Sequence, residues 1–459
     1  MSSRSLAVAV ALAVSLASTV AVAQESTRRM SLDEARTYAR SHHLRVIAAR
    51  QRLTAAEREA EVPGTQWLPR VGGMVQIVGS TANNSTSTIL GTSAVDLPRI
   101  GGTPMTRDPD MKPYPTTAVA VGVRQELYDF GRITAERNAA VLAGEVEKLR
   151  LASTALDVDF GVEQAFYGVL AAASIADASR AAFDRSVQHR DLARANVQSG
   201  MRPPIELTRA EADVARYEAG TMRADAGLHV ARSVFAAAVG VDEVELDATA
   251  AKEESTPLAP IATLLGFAAA SPDVLTTRAQ LEAQRAETRR LDAQTRPNLM
   301  ATAAISGRAG GAPPNAGPLP YGEGWLPAVP NYDVGVVLTW PILEPSWDKR
   351  ADASRAREDS LASQSELALR SLRASISAAY HDADAASRTL AALERGADAA
   401  KANYDQAENR FRVGLGTSTE LADAQAIRTE ADIQLAIGRL QMARTRAALT
   451  RVTAEVRRR

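Results

Sequence analysis

The feature that most constrains this chain is a turn that occurs twice. Residues 409–426 read NRFRVGLGTSTELADAQA and residues 195–212 read ANVQSGMRPPIELTRAEA. Placing Gly200 on Gly414 also aligns Glu206 with Glu420, Leu207 with Leu421 and Ala210 with Ala424, a constant offset of 214 residues. Each stretch is a glycine-broken turn between two long helical patterns. The same punctuation in two copies predicts an internally duplicated chain with two helix-turn-helix tips.

Reading outward from the tips gives two repeats, residues 24–240 and 272–459, joined by an acidic, proline-containing connector at 241–271. In the first repeat Ser31 and Glu34 form a capping box at the head of a helical pattern over 31–61, with a break marked by His42 and His43. Neighbouring histidines point in different directions on a helix, so they read as packing or solvent residues rather than metal ligands. Pro63, Gly64 and Pro69 stop that helix. Residues 71–80 and 116–128 then alternate as the strands of a hairpin (71–128) around a polar loop of about 35 residues, longer than an ordinary connection. A long helix follows at 131–199, with Leu142, Val146, Leu149, Leu156, Phe160, Tyr167 and Leu170 on a seven-residue seam. Gly200 stops it, and a helix at 204–239 is capped by Gly240.

The second repeat has the same order: a helix over 272–296, a hairpin at 298–343 around a Gly/Pro loop at 310–330, a long helix at 345–413 and a helix at 418–456. In each half the two shorter helices together match the long one at roughly 65–70 residues, so they can stack end to end beside it. The expected form is the wall of a helical tube, with both tips at one end and both hairpins at the other.

Composition narrows what such a wall can be. Hydrophobic residues make up 46% and aromatics 4%, which suits long helices packed through small side chains. A formal net charge of -1, without a basic stripe, argues against nucleic acid as a partner. Residues 1–23 carry Arg4, an apolar run over 6–22 and Ala21-Val22-Ala23 before Gln24, the pattern of a cleaved signal peptide. No later run reaches the ~20 residues of a spanning helix. The chain has no cysteine, which removes disulfides, thiolate metal sites and an acylated cysteine as anchor. Five histidines without a phosphate loop or a nucleophile motif give no support for an enzyme, a cofactor or a metal site. Each predicted strand has the length of a tilted membrane-crossing strand, ~9–11 residues. Four strands are too few for a closed barrel, and open edges are not tolerated in lipid, so several chains must contribute to one barrel.

The duplicated order, together with LYDFGR at 127–132 and RFRVGLGTSTELADAQ at 410–425, resembles the TolC-like outer-membrane efflux proteins across the mature chain. That resemblance implies a mainly α fold with a small β part. Duplicated helix, β-hairpin, helix halves would form a long α-helical barrel and, on trimerisation, a transmembrane β-barrel of twelve strands. It implies a homotrimer in the cell outer membrane, embedded in its lipid, with a periplasmic tunnel. Such a trimer is the exit duct of a tripartite efflux or type I secretion system, served by a periplasmic adaptor and an inner-membrane pump.

Glu420 and Asp423 lie three apart on one helical face, so copies around an axis would form carboxylate rings that favour cations. The resemblance assigns acidic residues at these positions to the narrow entrance. An alternative remains open, that they are solvated first-turn acids favoured by the helix dipole. Gly416 stands where some members have a basic gating residue, while Arg202, with Glu206 close by, holds the matching place in the first tip. The turns, with Gly200, Met201, Val413, Gly414, Leu415, Gly416 and Ser418, are the expected adaptor-docking surface. Trp67, Tyr128, Trp325, Tyr332 and Trp340 fall at strand ends, where interfacial belts form. The competing reading is a periplasmic coiled-coil scaffold or pump adaptor whose hairpins never enter lipid.

Overall fold

The structure is a computed structural model that describes residues 28–80, 112–249, 257–310 and 329–453. The expected signal peptide at 1–23, the loop residues 81–111 and 311–328 with Trp325, connector residues 250–256 and positions 454–456 of the last helix lie outside the described residues.

In chain order the elements are β1 (Arg29–Met30), α1 (Leu32–His42), α2 (Leu44–Glu61), β2 (Arg70–Ser80), β3 (Tyr114–Tyr128), α3 (Arg132–Gln198) and α4 (Ile205–Val239). They continue as β4 (Asp247–Ala248), α5 (Ile261–Gly266), α6 (Pro272–Asp292), β5 (Asn298–Gly310), β6 (Val329–Thr339), α7 (Pro345–Arg412) and α8 (Ser418–Thr453). The fold is thus mainly helical, and the order helix, hairpin, long helix, tip, helix occurs twice. The break expected at the histidine pair is present: His43 is extended and separates α1 from α2, while His42 stacks on Tyr38 at 4.2 Å. The capping box also forms, with the Glu34 amide donating to Ser31 Oγ at 3.4 Å and the Ser31 amide to Glu34 Oε2 at 2.9 Å. The fourth strand ends earlier than the sequence pattern indicates, at Thr339 rather than residue 343. Pro341 has no N–H to give to a ladder, which leaves Ile342 and Leu343 outside the sheet.

Two compact units draw on both halves of the chain. One comprises Met1–His43, Val158–Pro257 and Ala383–Ala447. Within it the predicted seven-residue period holds, but the buried line of α3 runs through smaller side chains than expected. Val158, Val162, Ala165, Val169, Ala176, Ser179, Ser186 and Ala193 are buried, whereas Phe160, Tyr167 and Leu170 are half-buried on the flank. Small residues let helix backbones approach closely, so these three large residues lie beside the line of contact, while Phe166 is buried. On α7 the line is unbroken, with Ala383, Leu390, Ala397, Tyr404 and Phe411 buried seven residues apart. A β-carbon on Gly438 of α8 would lie 2.5 Å from Leu393 Cδ1, which records how tightly α8 crosses α7. Phe166 and Phe235 meet edge to face at 5.7 Å, and Arg40 grips Asp159 through Nε at 2.9 Å. β1 and β4 pair in parallel, and Asp247 there accepts from Arg232 at 3.1 Å.

The other unit comprises Leu44–Asp157, Leu258–Asp382 and Ala448–Arg459. It holds the antiparallel sheet β2-β3-β5-β6 and the helix segments next to it. The LYDFGR motif is the hinge between sheet and helix. Phe130 and Gly131 both adopt left-handed backbone, and Asp129 caps α3, with Oδ1 accepting from the Gly131 amide at 3.0 Å and Oδ2 from the Ile133 amide. Arg132 then ties Glu126 of β3 to the helix at 3.1 Å. Further along, Arg451 of α8 sits between Asp157 and Asp273 at 2.7 and 2.9 Å. Burial opposes ionisation of Asp273, but the hydrogen bonds from Arg451 and Ser153 outweigh it and hold its carboxyl below the usual range.

Gly240 ends α4 in left-handed backbone, and a β-carbon there would lie 3.3 Å from His43 Cα. Gly240→Ala adds both a backbone penalty of about 1–2 kcal/mol and this contact. Its thermal transition in detergent, followed by helical circular dichroism, is expected to fall by several degrees.

Candidate functional site

The two tips are built from the same main-chain hydrogen bonds, residue for residue, at the 214-residue offset. In the first, the amides of Gly200, Met201 and Arg202 donate to the carbonyls of Val197, Asn196 and Asn196 at 3.0, 3.0 and 3.2 Å. In the second, those of Gly414, Leu415 and Gly416 donate to Phe411, Arg410 and Arg410 at 3.1, 2.9 and 3.0 Å. Both are Schellman closures with a left-handed glycine, φ +72° at Gly200 and +81° at Gly414. Met201, Val413 and Leu415 stand out at the turns, each more than two-thirds exposed at 69%, 69% and 75%. Gly416 and Ser418, by contrast, are buried.

The tips touch each other at the duplicated position itself. Arg202 Nη2 donates to the carbonyl of Gly416, its counterpart in the second repeat, at 3.1 Å. Its other branch reaches Glu206 Oε1 at 3.4 Å, and the guanidinium lies over the Phe411 ring at 5.8 Å. Gly416 has no space for a side chain: a β-carbon would meet the Phe411 amide nitrogen at 3.0 Å and the Arg410 carbonyl carbon at 3.2 Å. The basic group at this meeting point therefore comes from the first tip.

The two sequence-predicted acids face outward. Thr417 Oγ1 caps α8 by accepting from the Glu420 amide at 3.1 Å, which sets Glu420 on the first turn and Asp423 three residues further on. Both are exposed, and Glu420 pairs with Arg410 Nε at 3.3 Å. With both partners this accessible, the pair is worth well under about 1 kcal/mol.

Behind the turn, several residues not singled out in the sequence join α3 to α7 and α8. His189 packs edge-on against Phe411 at 5.2 Å, and Gln425 Nε2 donates to the Ala182 carbonyl at 2.9 Å. Tyr404 lies between the guanidiniums of Arg185 and Arg428, at 5.5 and 4.9 Å. Burial, with Arg428 adding like charge, lowers the Arg185 pKa, and burial raises that of Tyr404. The available signal was the seven-residue line ending at Tyr404 and Phe411. Nothing local in the sequence shows which α3 residues it meets.

The sheet in the other unit has two unlike faces. By register, one carries Val71, Val75, Ile77, Val119, Val121, Val123, Ala303, Ile305, Tyr332, Val334, Val336 and Leu338, with no charged residue among the described positions. All of its large side chains but the half-buried Val119 are exposed, from Val123 at 38% to Tyr332 at 83%. The opposite face carries Arg70, Gln76, Arg124, Glu126, Thr302, Ser306 and Asp333 among small residues, with Ala120, Ala304 and Met300 buried. Trp67, Tyr128, Phe130 and Trp340 are exposed where the strands meet the helices. Apolar side out and polar side in is the reverse of a water-soluble sheet.

Duplicated helical hairpins joined to a sheet with an outward apolar face define a protein of the outer-membrane channel type. The chain belongs to the outer membrane efflux protein family, whose model matches residues 9–241 and 267–455. Solved structures share the fold. The Campylobacter jejuni CmeC outer membrane channel is 13% identical with a TM-score of 0.73, over 92% of this chain and 85% of that one. The outer membrane protein VceC from Vibrio cholerae is 17% identical (TM-score 0.68, 92% and 95% covered). The open-state Neisseria gonorrhoeae MtrE outer membrane channel is 17% identical (TM-score 0.67, 92% and 88%). No curated protein sequence matches the chain.

Removing Arg202 strips the Gly416 carbonyl of its cross-tip donor and leaves Glu206 without its cation, a loss of about 1–3 kcal/mol. Arg202→Ala is expected to speed limited proteolysis at the second turn by up to roughly tenfold. Arg202→Lys, which lacks the two-branched fork, should recover only part of the protection.

Proposed function

We propose that this chain is the outer-membrane exit duct of a tripartite efflux or type I secretion system and acts as a homotrimer. The observation that carries the reading is the four-stranded sheet, with its exposed apolar face and two edges without a neighbouring strand among the described residues. In hydrocarbon every backbone group needs a partner, so such a sheet is stable only when copies close it into a barrel. Three copies give twelve strands, with the apolar faces against lipid and the polar faces lining a lumen. Trp67, Tyr128 and Trp340 then lie at one membrane interface.

The duplicated hairpins continue the duct into the periplasm, and the two tips form its entrance. There Glu420 and Asp423 from three copies make carboxylate rings that attract cations and disfavour anions. Arg202 and Glu206 hold the first tip to the second, which supports an entrance fastened within each chain through the Gly416 carbonyl. The turns at Gly200 and Met201, and from Val413 to Ser418, receive the helical hairpin of a periplasmic adaptor, with Met201, Val413 and Leu415 supplying exposed contact area. Cargo is delivered by an inner-membrane pump, and transport needs no chemistry from this chain. A soluble scaffold would have to leave the apolar sheet face in water, which counts against that alternative.

Two measurements test this reading. Ile305→Arg places a charge on the lipid-facing side at a cost of up to about 2–4 kcal/mol near the bilayer midplane, so the variant should be depleted from the outer-membrane fraction. A soluble monomeric wild type would overturn the proposal. In planar bilayers the wild type should conduct and be blocked by multivalent cations, and Glu420→Ala with Asp423→Ala should abolish the block. Block that survives both substitutions removes the acids from the entrance.

A further inference from the structure

The contact between the two tips contains an imidazole placed to sense acid. His189 of α3 is held edge-on to Phe411 of α7, the ring over which Arg202 also lies. Among the described residues its Nε2 is buried without a hydrogen-bond partner, and so is Glu206 Oε2, the carboxylate oxygen that does not accept from Arg202. One cluster thus holds a buried ring nitrogen, a buried carboxylate oxygen and the guanidinium that bridges the tips.

The charged groups around the ring can be named element by element. From α4 the carboxylates of Glu206 and Asp213 act on it, and from the first turn Arg202 shares its aromatic neighbour. From α7 it meets the Phe411 ring, while the flanking charges Glu408 and Arg412 pair with each other and Arg410 pairs with Glu420. On its own helix, Arg185 lies over Tyr404. Protonating the ring therefore buries a second cation beside Phe411, in a site already holding the Arg202 guanidinium.

We propose that His189 makes the packing of the α7–α8 tip against the α3–α4 tip labile to acid, so that the duct entrance loosens as pH falls. Burial pushes the imidazole below its ordinary value, against the pull of Asp213 and Glu206. The direction of the effect follows from that. Well above the free imidazole value of ~6.5 the ring is neutral whether packed or released, and the contact has its full strength. Below it, the released ring takes up a proton more readily than the packed one, so strength is lost as pH falls toward the depressed packed-state value. Within that window each pH unit changes the ratio of released to packed tips by up to about tenfold per copy.

Because the chain contains no cysteine, a pair of labels can be introduced without background. Spin labels at Met201→Cys and Leu415→Cys, both exposed turn positions, report tip separation in the full-length protein in detergent. Between pH 7.5 and 5.5 the distance distribution should lengthen and broaden. His189→Gln, which keeps a polar side chain but cannot titrate, should hold the neutral-pH distribution throughout. His189→Arg, permanently charged, should show the acid distribution at pH 7.5. An unchanged wild-type distribution over this range, or the same acid response in His189→Gln, overturns the proposal.

Conductance in planar bilayers forms a second arm, which rests on the channel reading: open probability should rise with acid in the wild type and stay flat in His189→Gln. A chain that never conducts but separates its tips on acidification refutes the duct and keeps the switch. A duct that conducts with pH-independent tips refutes the switch alone.

Discussion

Each inner strand of the sheet has both sets of backbone groups satisfied, β3 by β2 and β5, and β5 by β3 and β6. Among the described residues, the outer edges of β2 and β6 have no neighbouring strand and lie alongside an exposed apolar face. Water would satisfy the edges but not the face, and lipid would satisfy the face but not the edges. In lipid, a neighbouring edge of the same kind satisfies both. The proposed assembly of several copies thus rests on main-chain hydrogen bonding and needs no particular interface residue. LYDFGR carries it into the helical region, since Asp129 and Arg132 fix where β3 ends and α3 begins.

In the unit that carries the tips the governing constraint is close approach. Small residues recur along the buried lines of α3 and α7, with Leu390, Tyr404 and Phe411 the larger members on α7, and a β-carbon on Gly438 would meet Leu393 Cδ1. Near the turn, aromatic and charged groups add to this packing. Tyr404 between two arginines, Phe411 between His189 and Arg202, and Gln425 on the Ala182 carbonyl are the adhesive features there. Aromatic rings sharing guanidiniums hold by orientation as well as by burial.

Much of this was legible in the residues. Left-handed glycines are marked in sequence because few other residues tolerate that backbone, so Gly200 and Gly414 fixed the register of the duplication to the residue. Strict alternation in β2 and β3 showed which side chains share a face, and Pro341 could have placed the end of β6 correctly. The helical seam was harder. Its period is visible and Val146 is buried as read, but Phe160, Tyr167 and Leu170 lie on the flank of a line in which small residues predominate on α3. The cross-tip cluster could not be read at all, since which α3 residue faces Phe411 depends on how two hairpins separated by about 214 residues pack together. Gly416 looked like a missing cation, and the structure gives it a steric role, with the cation arriving from Arg202.

The two turns have one main-chain design and two chemistries. Their hydrogen bonds superimpose to within 0.2 Å in donor–acceptor distance, yet the matching third positions are an arginine and a glycine that bond to each other. A partner that recognised main chain alone would count two equivalent sites per copy. One that recognised charge would count a single site. The duplication thus gives one main-chain geometry in two copies and, at the third position of the turn, two different side-chain chemistries within it.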